Sequence, residues 1–169
     1  GRLYLGRSID GKAIRPYKRF HNAATEEEAQ ALAETWAAYV TADGTVRSAR
    51  LTDLLEDYVQ LRERNGASPN SIKSYRLFIR YVARYLKTAN ARDLGVMDFN
   101  RFEQRVLMAK DEGGQGLCRN SVINVHNFLR GAYNHFVDAG ICDANPLVYV
   151  AKPSPERHEA SALTEWDFE

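Results

Sequence analysis

Between Ser68 and Lys87 the chain reads SPNSIKSYRLFIRYVARYLK, and Ile72, Tyr75, Ile79, Val82 and Leu86 recur there at alternating steps of three and four. That spacing returns to one side of a helix at every turn, so the stretch predicts an amphipathic helix whose apolar stripe must be buried against other elements. Ser68 stands where an N-cap belongs, and Pro69 occupies the first helical position, where its missing N–H costs nothing. The same period recurs three times more. LTDLLEDYVQLRERNG predicts a helix with Leu54, Leu55, Tyr58 and Leu61 inward, ending near Asn65 and Gly66. MDFNRFEQRVLMAK predicts a shorter one, capped by Asp98, with Phe99, Phe102 and Val106 toward the core. A long helix from about Asn120 to Gly140 places Val122, Val125, Leu129, Tyr133 and Phe136 inward, and the glycine suits its C-terminal cap. Four such stripes can bury one another only in a compact bundle.

The first 44 residues follow a different pattern. RLYLGRSI and AIRPYKRF are short, partly alternating runs joined through Asp10-Gly11-Lys12, which predicts a β-hairpin. Leu3, Leu5, Ile14 and Phe20 would share its buried face, and Arg2, Tyr4, Arg15, Tyr17 and Arg19 would point the other way. Pro16 implies an edge position. Two strands alone are marginal, so the hairpin needs a cover, and the helix that follows provides one. Its start, Thr25-Glu26-Glu27-Glu28, has capping-box spacing, and Ala29, Leu32, Trp36 and Val40 share a face. The fold class expected is therefore mainly α, with a small α+β unit at the N-terminus. Residues 1–44 form that unit, 45–50 a linker, 51–148 the four-helix domain, and 149–169 a second linker with the capped start of a further helix, ALTEWDFE.

Net charge is only +1, but it is unevenly spread. Residues 1–22 carry six cations against Asp10 alone, whereas residues 23–44 carry five acids and no cation. On the helix from Pro69, Lys73, Arg76, Arg80, Arg84 and Lys87 fall together opposite the apolar stripe, in a stretch with no acid at all. A solvated helix face is the commoner source of such a stripe, yet ordinary solvated faces mix both signs. The last helix is unusual in another way: Asn120, Asn124, Asn127 and Asn134 line its outer side, with Arg119 and Arg130 beside them. Each Asn gives up about half a kcal/mol of helix propensity against Ala. A carboxamide offers one donor and one acceptor, matching N6 and N7 of adenine, and a good bidentate pair contributes about 1–3 kcal/mol. Cations for phosphates and amides for base edges together favour double-stranded DNA. Exposed arginines and tyrosines on the hairpin, namely Arg2, Tyr4, Arg15, Tyr17 and Arg19, add a third basic surface.

Other chemistries find less support. No stretch approaches the roughly 20 apolar residues of a membrane span, and GRLYLGRSIDGK lacks the apolar centre of a signal peptide, so a cytoplasmic protein without a membrane partner is expected. Cys118 and Cys142 lie near opposite ends of the last helix and read as reduced thiols. His126 and His135 read as ordinary helix residues without partners at metal-ligand spacing, so neither metal nor cofactor is expected.

In this order the elements resemble the N-terminal portion of a phage-type tyrosine recombinase, or integrase. The resemblance rests on SPNSIKSYRLFIRYVARYL, on RNSVINVHNFLRGAYNHFVDAGICDANP, and on the linker leading to ALTEWDFE. It implies that residues 51–148 form a core-binding domain, half of a clamp on the crossover site, and that the hairpin unit binds separate arm sites. Members of the family usually show three strands in that unit, and two are legible here. The resemblance further implies a catalytic domain after the linker, carrying an Arg, Lys and His constellation and a nucleophilic Tyr, and other copies of the recombinase on the same DNA. No such constellation is legible in these residues, so the chain itself is expected to be inert in strand cleavage, while its parent would integrate and excise DNA. Two alternatives stay open: a DNA-binding regulator built from the same modules, and a helical protein-interaction module. Salt-sensitive duplex binding separates the second of these from the rest.

Overall fold

A computed structural model describes residues 1–41, 44–47 and 49–154 of the chain. The expected helix start ALTEWDFE lies outside the described residues. Five α-helices dominate: α1 (Glu26–Tyr39), α2 (Leu51–Arg64), α3 (Pro69–Leu86), α4 (Val96–Leu107) and α5 (Arg119–Asp138), followed by a 3-10 turn at Pro146–Val148.

Local chemistry accounts for their ends. The Ser68 hydroxyl accepts from the Ser71 N–H at 3.2 Å, with Pro69 directly after it. Thr25 accepts from the Glu28 N–H at 3.2 Å, while the Glu28 carboxylate takes the Ala24 N–H at 2.7 Å. α4 begins two residues earlier than its expected cap. Asp98 lies inside the first turn and reaches back to the Gly95 N–H at 2.9 Å, so the carboxylate acts from the third position of the helix. After α5, Gly140 takes a φ of 75°, and that left-handed residue lets the Ile141 N–H reach the Phe136 carbonyl at 2.8 Å.

Helices α2 to α5 bury a common core that includes Leu51, Leu55, Val82, Phe99, Leu129 and Tyr133. The Tyr133 hydroxyl, deep in that core, donates to the Ala91 carbonyl at 3.0 Å. Three further residues of α5, His126, Phe128 and Ala132, are buried beyond the expected stripe. His126 is more than the ordinary helix residue expected: its Nδ1 lies 2.7 Å from Glu103 Oε1, with the two side chains 1% and 7% exposed. Burial pushes the Glu103 carboxyl above its usual range, an effect that His126 opposes. A second polar clamp closes the C-terminal end of the domain. Asn145 donates from Nδ2 to the Arg130 carbonyl at 3.0 Å and to Asn134 Oδ1 at 2.7 Å, and its own Oδ1 accepts from the Leu147 N–H at 3.0 Å.

The N-terminal segment departs from expectation. Among the described residues no β-strand forms there; isolated antiparallel bridges, Arg2 with Tyr17 and Arg7 with Ala13, replace the continuous hairpin. The hydrogen bonds show why. Leu5 N–H donates to the Ile14 carbonyl at 3.0 Å, but the Ile14 N–H returns to Gly6 rather than Leu5, at 2.9 Å. Two residues thus oppose one, a bulge made possible by Gly6 at φ 100°. Pro16 removes a further donor from the ladder. The turn itself spans Ser8 to Lys12, closed by the Gly11 N–H on the Ser8 carbonyl at 2.9 Å, with Gly11 at φ 77°. No side chain of this segment is fully buried: Leu3, Leu5, Ile14 and Phe20 are partly covered, and Arg2, Tyr4, Arg15, Tyr17 and Arg19 are exposed.

α1 ties that segment to the helical domain. Leu32 and Tyr39 join the common core, the Tyr39 hydroxyl donates to the Asp57 carboxylate, and Asn22 donates to Asp138 at 2.6 Å. The end of the 45–50 stretch is anchored as well, since the Leu51 N–H bonds the Ala89 carbonyl at 2.9 Å and the Ala91 N–H bonds the Ala49 carbonyl at 3.0 Å.

Candidate nucleic-acid interface

α3 exposes the four cations of its stripe, Lys73, Arg76, Arg80 and Arg84, with Lys87 exposed just past its end, and its capped first turn opens beside α5. Lys73, Arg76 and Arg80 line one shallow concavity with Ser74 and Leu77. The stripe is less uniformly basic than the sequence of α3 alone indicates. Glu56 of α2 lines the same concavity, and Glu63 of α2 bridges Arg76 at 2.9 Å. That bridge is half exposed on both sides, so its contribution to stability is small, but it partly occupies Arg76. Arg84 donates to Gln115 at 2.9 Å and lies over the Tyr85 ring. Lys73 and Arg80 make no hydrogen bond or ion pair among the described residues. They are the cations of α3 with least to give up on meeting a phosphate.

Between α2, α3 and α5 lies a cleft of about 450 Å³. Asn124 and Asn127 line it from α5, Asn70, Ser71 and Ser74 from the first turns of α3, and Tyr58 from α2. Tyr75, Phe78 and Phe128 form its apolar wall, with Tyr75 stacked on Phe128 at 4.8 Å between ring centroids. Gly131 lines one side: a Cβ there would stand 3.4 Å from the Tyr58 hydroxyl. Burial pushes that phenol above its ordinary range, so it remains a neutral donor. Ser74 borders both the cleft and the cationic concavity, which makes the two surfaces neighbours.

The structure therefore divides the residues singled out from the sequence. It brings Asn124 and Asn127 together in the cleft and sets Lys73, Arg76 and Arg80 at its side. Arg119 and Asn120 stand at the start of α5, and Arg130 is exposed without lining the cleft. Asn134 is committed elsewhere, to Asn145. On the N-terminal segment the basic surface is organised by stacking: Arg2 and Arg19 lie 5.5 and 5.7 Å from the Tyr17 ring, and Arg15 lies 5.6 Å from that of Tyr4. Asn70, Ser71, Ser74 and Phe78 were not singled out from the sequence, and Tyr58 was read only as an inward residue of its helix. A visible signal was the run of Asn70, Ser71 and Ser74 on the flank of α3 between its cations and its apolar stripe.

Among the described residues no helix is long and apolar enough to cross a membrane, and no group of three or more His, Cys, Asp or Glu could hold a metal ion. Cys118 is exposed and Cys142 buried, both as free thiols, with burial raising Cys142 to about 11.

No protein-family profile and no curated protein matches the chain. Solved structures do. A lambda integrase dimer bound to a COC' core site superposes with a TM-score of 0.56 at 19% identity, over 89% of this chain and 43% of the integrase. The solution structure of a fragment (61-160) from Clostridium leptum superposes with a TM-score of 0.53, also at 19% identity, over 69% of this chain and all of the fragment. This chain thus spans less than half of the integrase. At such identity the likeness concerns the fold, and the fold it shows is integrase-like and mainly helical.

Proposed function

We propose that this chain is the DNA-binding portion of a site-specific tyrosine recombinase, with α2–α5 as the core-binding domain and the N-terminal segment as an arm-binding unit. One observation carries the reading: an uncharged cleft with amides from two helices lies directly beside unpaired cations on α3. Lys73 and Arg80 would hold phosphates, and Asn124 and Asn127 would meet base edges, the division of labour expected of a duplex-binding surface. The integrase that shares this fold is itself bound to a core site. Arg119, Asn120 and Arg130 extend the contact along α5, and Arg84 does so once it leaves Gln115. Arg2, Tyr4, Arg15, Tyr17 and Arg19 would serve the arm site. Other copies of the recombinase would share the DNA, and strand cleavage would belong to a catalytic domain.

Affinity measured against salt tests the reading. Binding to duplex DNA should fall steeply as salt rises, and Lys73→Ala or Arg80→Ala should each flatten the log-log slope by about 0.9 on every sequence. Arg76→Ala should flatten it less, because Glu63 already holds that guanidinium. Binding that ignores salt would return the chain to the class of protein-interaction modules. A covalent adduct between this chain and a nicked suicide substrate would overturn the assignment of cleavage to another domain.

A further inference from the structure

The cleft between α2, α3 and α5 is lined by three asparagines, two serines, a glycine and four aromatic rings, and none of its lining residues is charged. Its immediate neighbours are charged, beginning one residue away at Lys73. A duplex presents the same alternation, with anionic backbones flanking neutral base edges. Amides alone would match adenine. The apolar wall calls for something more, because an A·T pair shows two distinct features in the major groove: the N6 and N7 edge of adenine and the C5-methyl of thymine.

We infer that this cleft reads A·T pairs from both partners, with Asn124 or Asn127 on the adenine edge and the Tyr75, Phe78 and Phe128 wall against the thymine methyl. The assignment rests on the DNA-binding reading above and deepens it. Asn127 and Phe128 are consecutive on α5, so an amide and the wall open on the same cleft from adjacent positions. Phe128 is almost fully buried, fixed by Tyr75 at 4.8 Å and by Phe78 at 5.7 Å, so the wall is rigid. Tyr75 and Phe78 remain partly open to solvent, and they are the ring surface a methyl group would cover. Gly131 lines the Tyr58 side of the cleft, where a Cβ would stand at ordinary contact distance, 3.4 Å, from the Tyr58 hydroxyl.

The test uses the complete 169-residue chain and duplexes enriched by it from a randomised pool. Deoxyuridine is then placed at each thymine in turn, removing only the methyl, and 7-deazaadenine at each adenine, removing only the N7 acceptor. At least one uracil position should weaken binding about fourfold, the weight of one buried carbon. A 7-deaza substitution in the same base pair or the next should weaken it about as much or more. Phe78→Ala should bring the thymine-to-uracil ratio at that position to about one while leaving the salt dependence unchanged, and a circular-dichroism melt confirms that the variant folds. Should Phe78→Ala fail to fold, the base analogues on the unaltered chain decide the matter. Selected sites that are indifferent to every thymine methyl, with salt-dependent binding intact, overturn the inference and leave the DNA reading standing. Loss of all salt-dependent duplex binding overturns both. A dimer that sediments without DNA and is dissolved by Phe78→Ala would assign the wall to a second copy of the chain and overturn the inference as well.

Discussion

The N-terminal segment and the four-helix domain spend their aromatic and cationic residues in opposite ways. In the helical domain the rings go inward: Phe99 is fully buried and meets Tyr133 edge-on at 5.4 Å, and Tyr133 meets Phe136 at 5.5 Å. In the segment the tyrosines stay outside, and arginines stack on them instead. Such exposed cation–π pairs contribute about 0.5–1 kcal/mol each, against about 1.5–3 kcal/mol for burying one large apolar side chain. The domain therefore stands on its own core. The segment depends on α1, and through Leu32, Tyr39 and Asn22 on the domain behind it. What the segment gains is a surface on which charge and ring face are already paired and exposed, available to a partner at little reorganisation.

Deleting one apolar side chain on each side gives the largest contrast. Phe99→Ala should cost about 3–5 kcal/mol in urea unfolding, while Leu3→Ala, on a half-covered side chain, should cost less than about 1.5 kcal/mol. Equal costs would mean that the segment is as deeply built as the domain, and the comparison would collapse.

The buried pair in the domain is the next test. His126→Ala leaves the Glu103 carboxyl without its partner at a site 7% exposed. The carboxyl can take up a proton and avoid a buried charge, so the expected cost is about 1–3 kcal/mol rather than the larger cost of an orphaned ion. Glu103, held above its usual range, should then be protonated over a wider span of pH in the variant than in the parent. Infrared spectra of the carboxyl stretch would show it. A variant as stable as the parent would reduce the pair to a filler of space.

Where α1 meets α5 the two regions share a titratable group. His135 lies 3.4 Å from the Thr35 hydroxyl and against the Tyr58 ring at 5.5 Å, and burial holds its imidazole below the ordinary histidine range. The unfolded chain therefore takes up a proton first. Stability from this residue is complete above the unfolded value of 6.5 and is lost as pH falls through the lower folded value. His135→Phe should remove that part of the acid dependence. Melts of parent and variant that run parallel between neutral and mildly acidic pH would count against it.

Legibility differed between the two regions for a physical reason. Helix periodicity is a local property, so the apolar stripe of α3, its Ser68 cap and its exposed cations could be read from about twenty consecutive residues. Glu56 and Glu63 could not, because they reach the stripe from α2 and depend on how the two helices pack. The same holds for the partnership of Glu103 with His126, 23 residues apart, which no spacing rule within one helix reveals. In the hairpin the turn was legible at Asp10-Gly11, but the register was not. Gly6 permits a bulge without announcing one, and a single inserted residue divides a ladder into isolated bridges. The cleft was half legible. Its amides stood out as costly helix residues, whereas of its aromatic wall Tyr75 read as ordinary core, and Phe78 and Phe128 fell beside the expected apolar stripes.

The smallest expected effects separate asparagines that look alike in sequence. Asn134 and Asn124 are ten residues apart on α5 and both exposed, yet Asn134 accepts from Asn145 at 2.7 Å while Asn124 opens on the cleft. Asn134→Ala removes one acceptor from the clamp and leaves the Asn145 amide its bond to the Arg130 carbonyl; the lost bond, about 0.5–1.5 kcal/mol, is set against a propensity gain of about half a kcal/mol, so stability should fall by up to about 1 kcal/mol with no change in DNA affinity. Asn124→Ala and Asn127→Ala break no hydrogen bond among the described residues and exchange a poor helix former for the best one, so stability should rise by up to about half a kcal/mol each. On a selected DNA site they should instead cost about 1–3 kcal/mol wherever the amide makes a bidentate contact, and little on random duplex. The two classes thus move in opposite directions in stability, and only the cleft amides move DNA affinity, which a paired set of melts and titrations resolves even though each stability shift is small. A loss of stability in Asn124→Ala equal to that in Asn134→Ala would show that the cleft amides hold the fold together, and the cost of placing them on a helix would need no ligand to explain it.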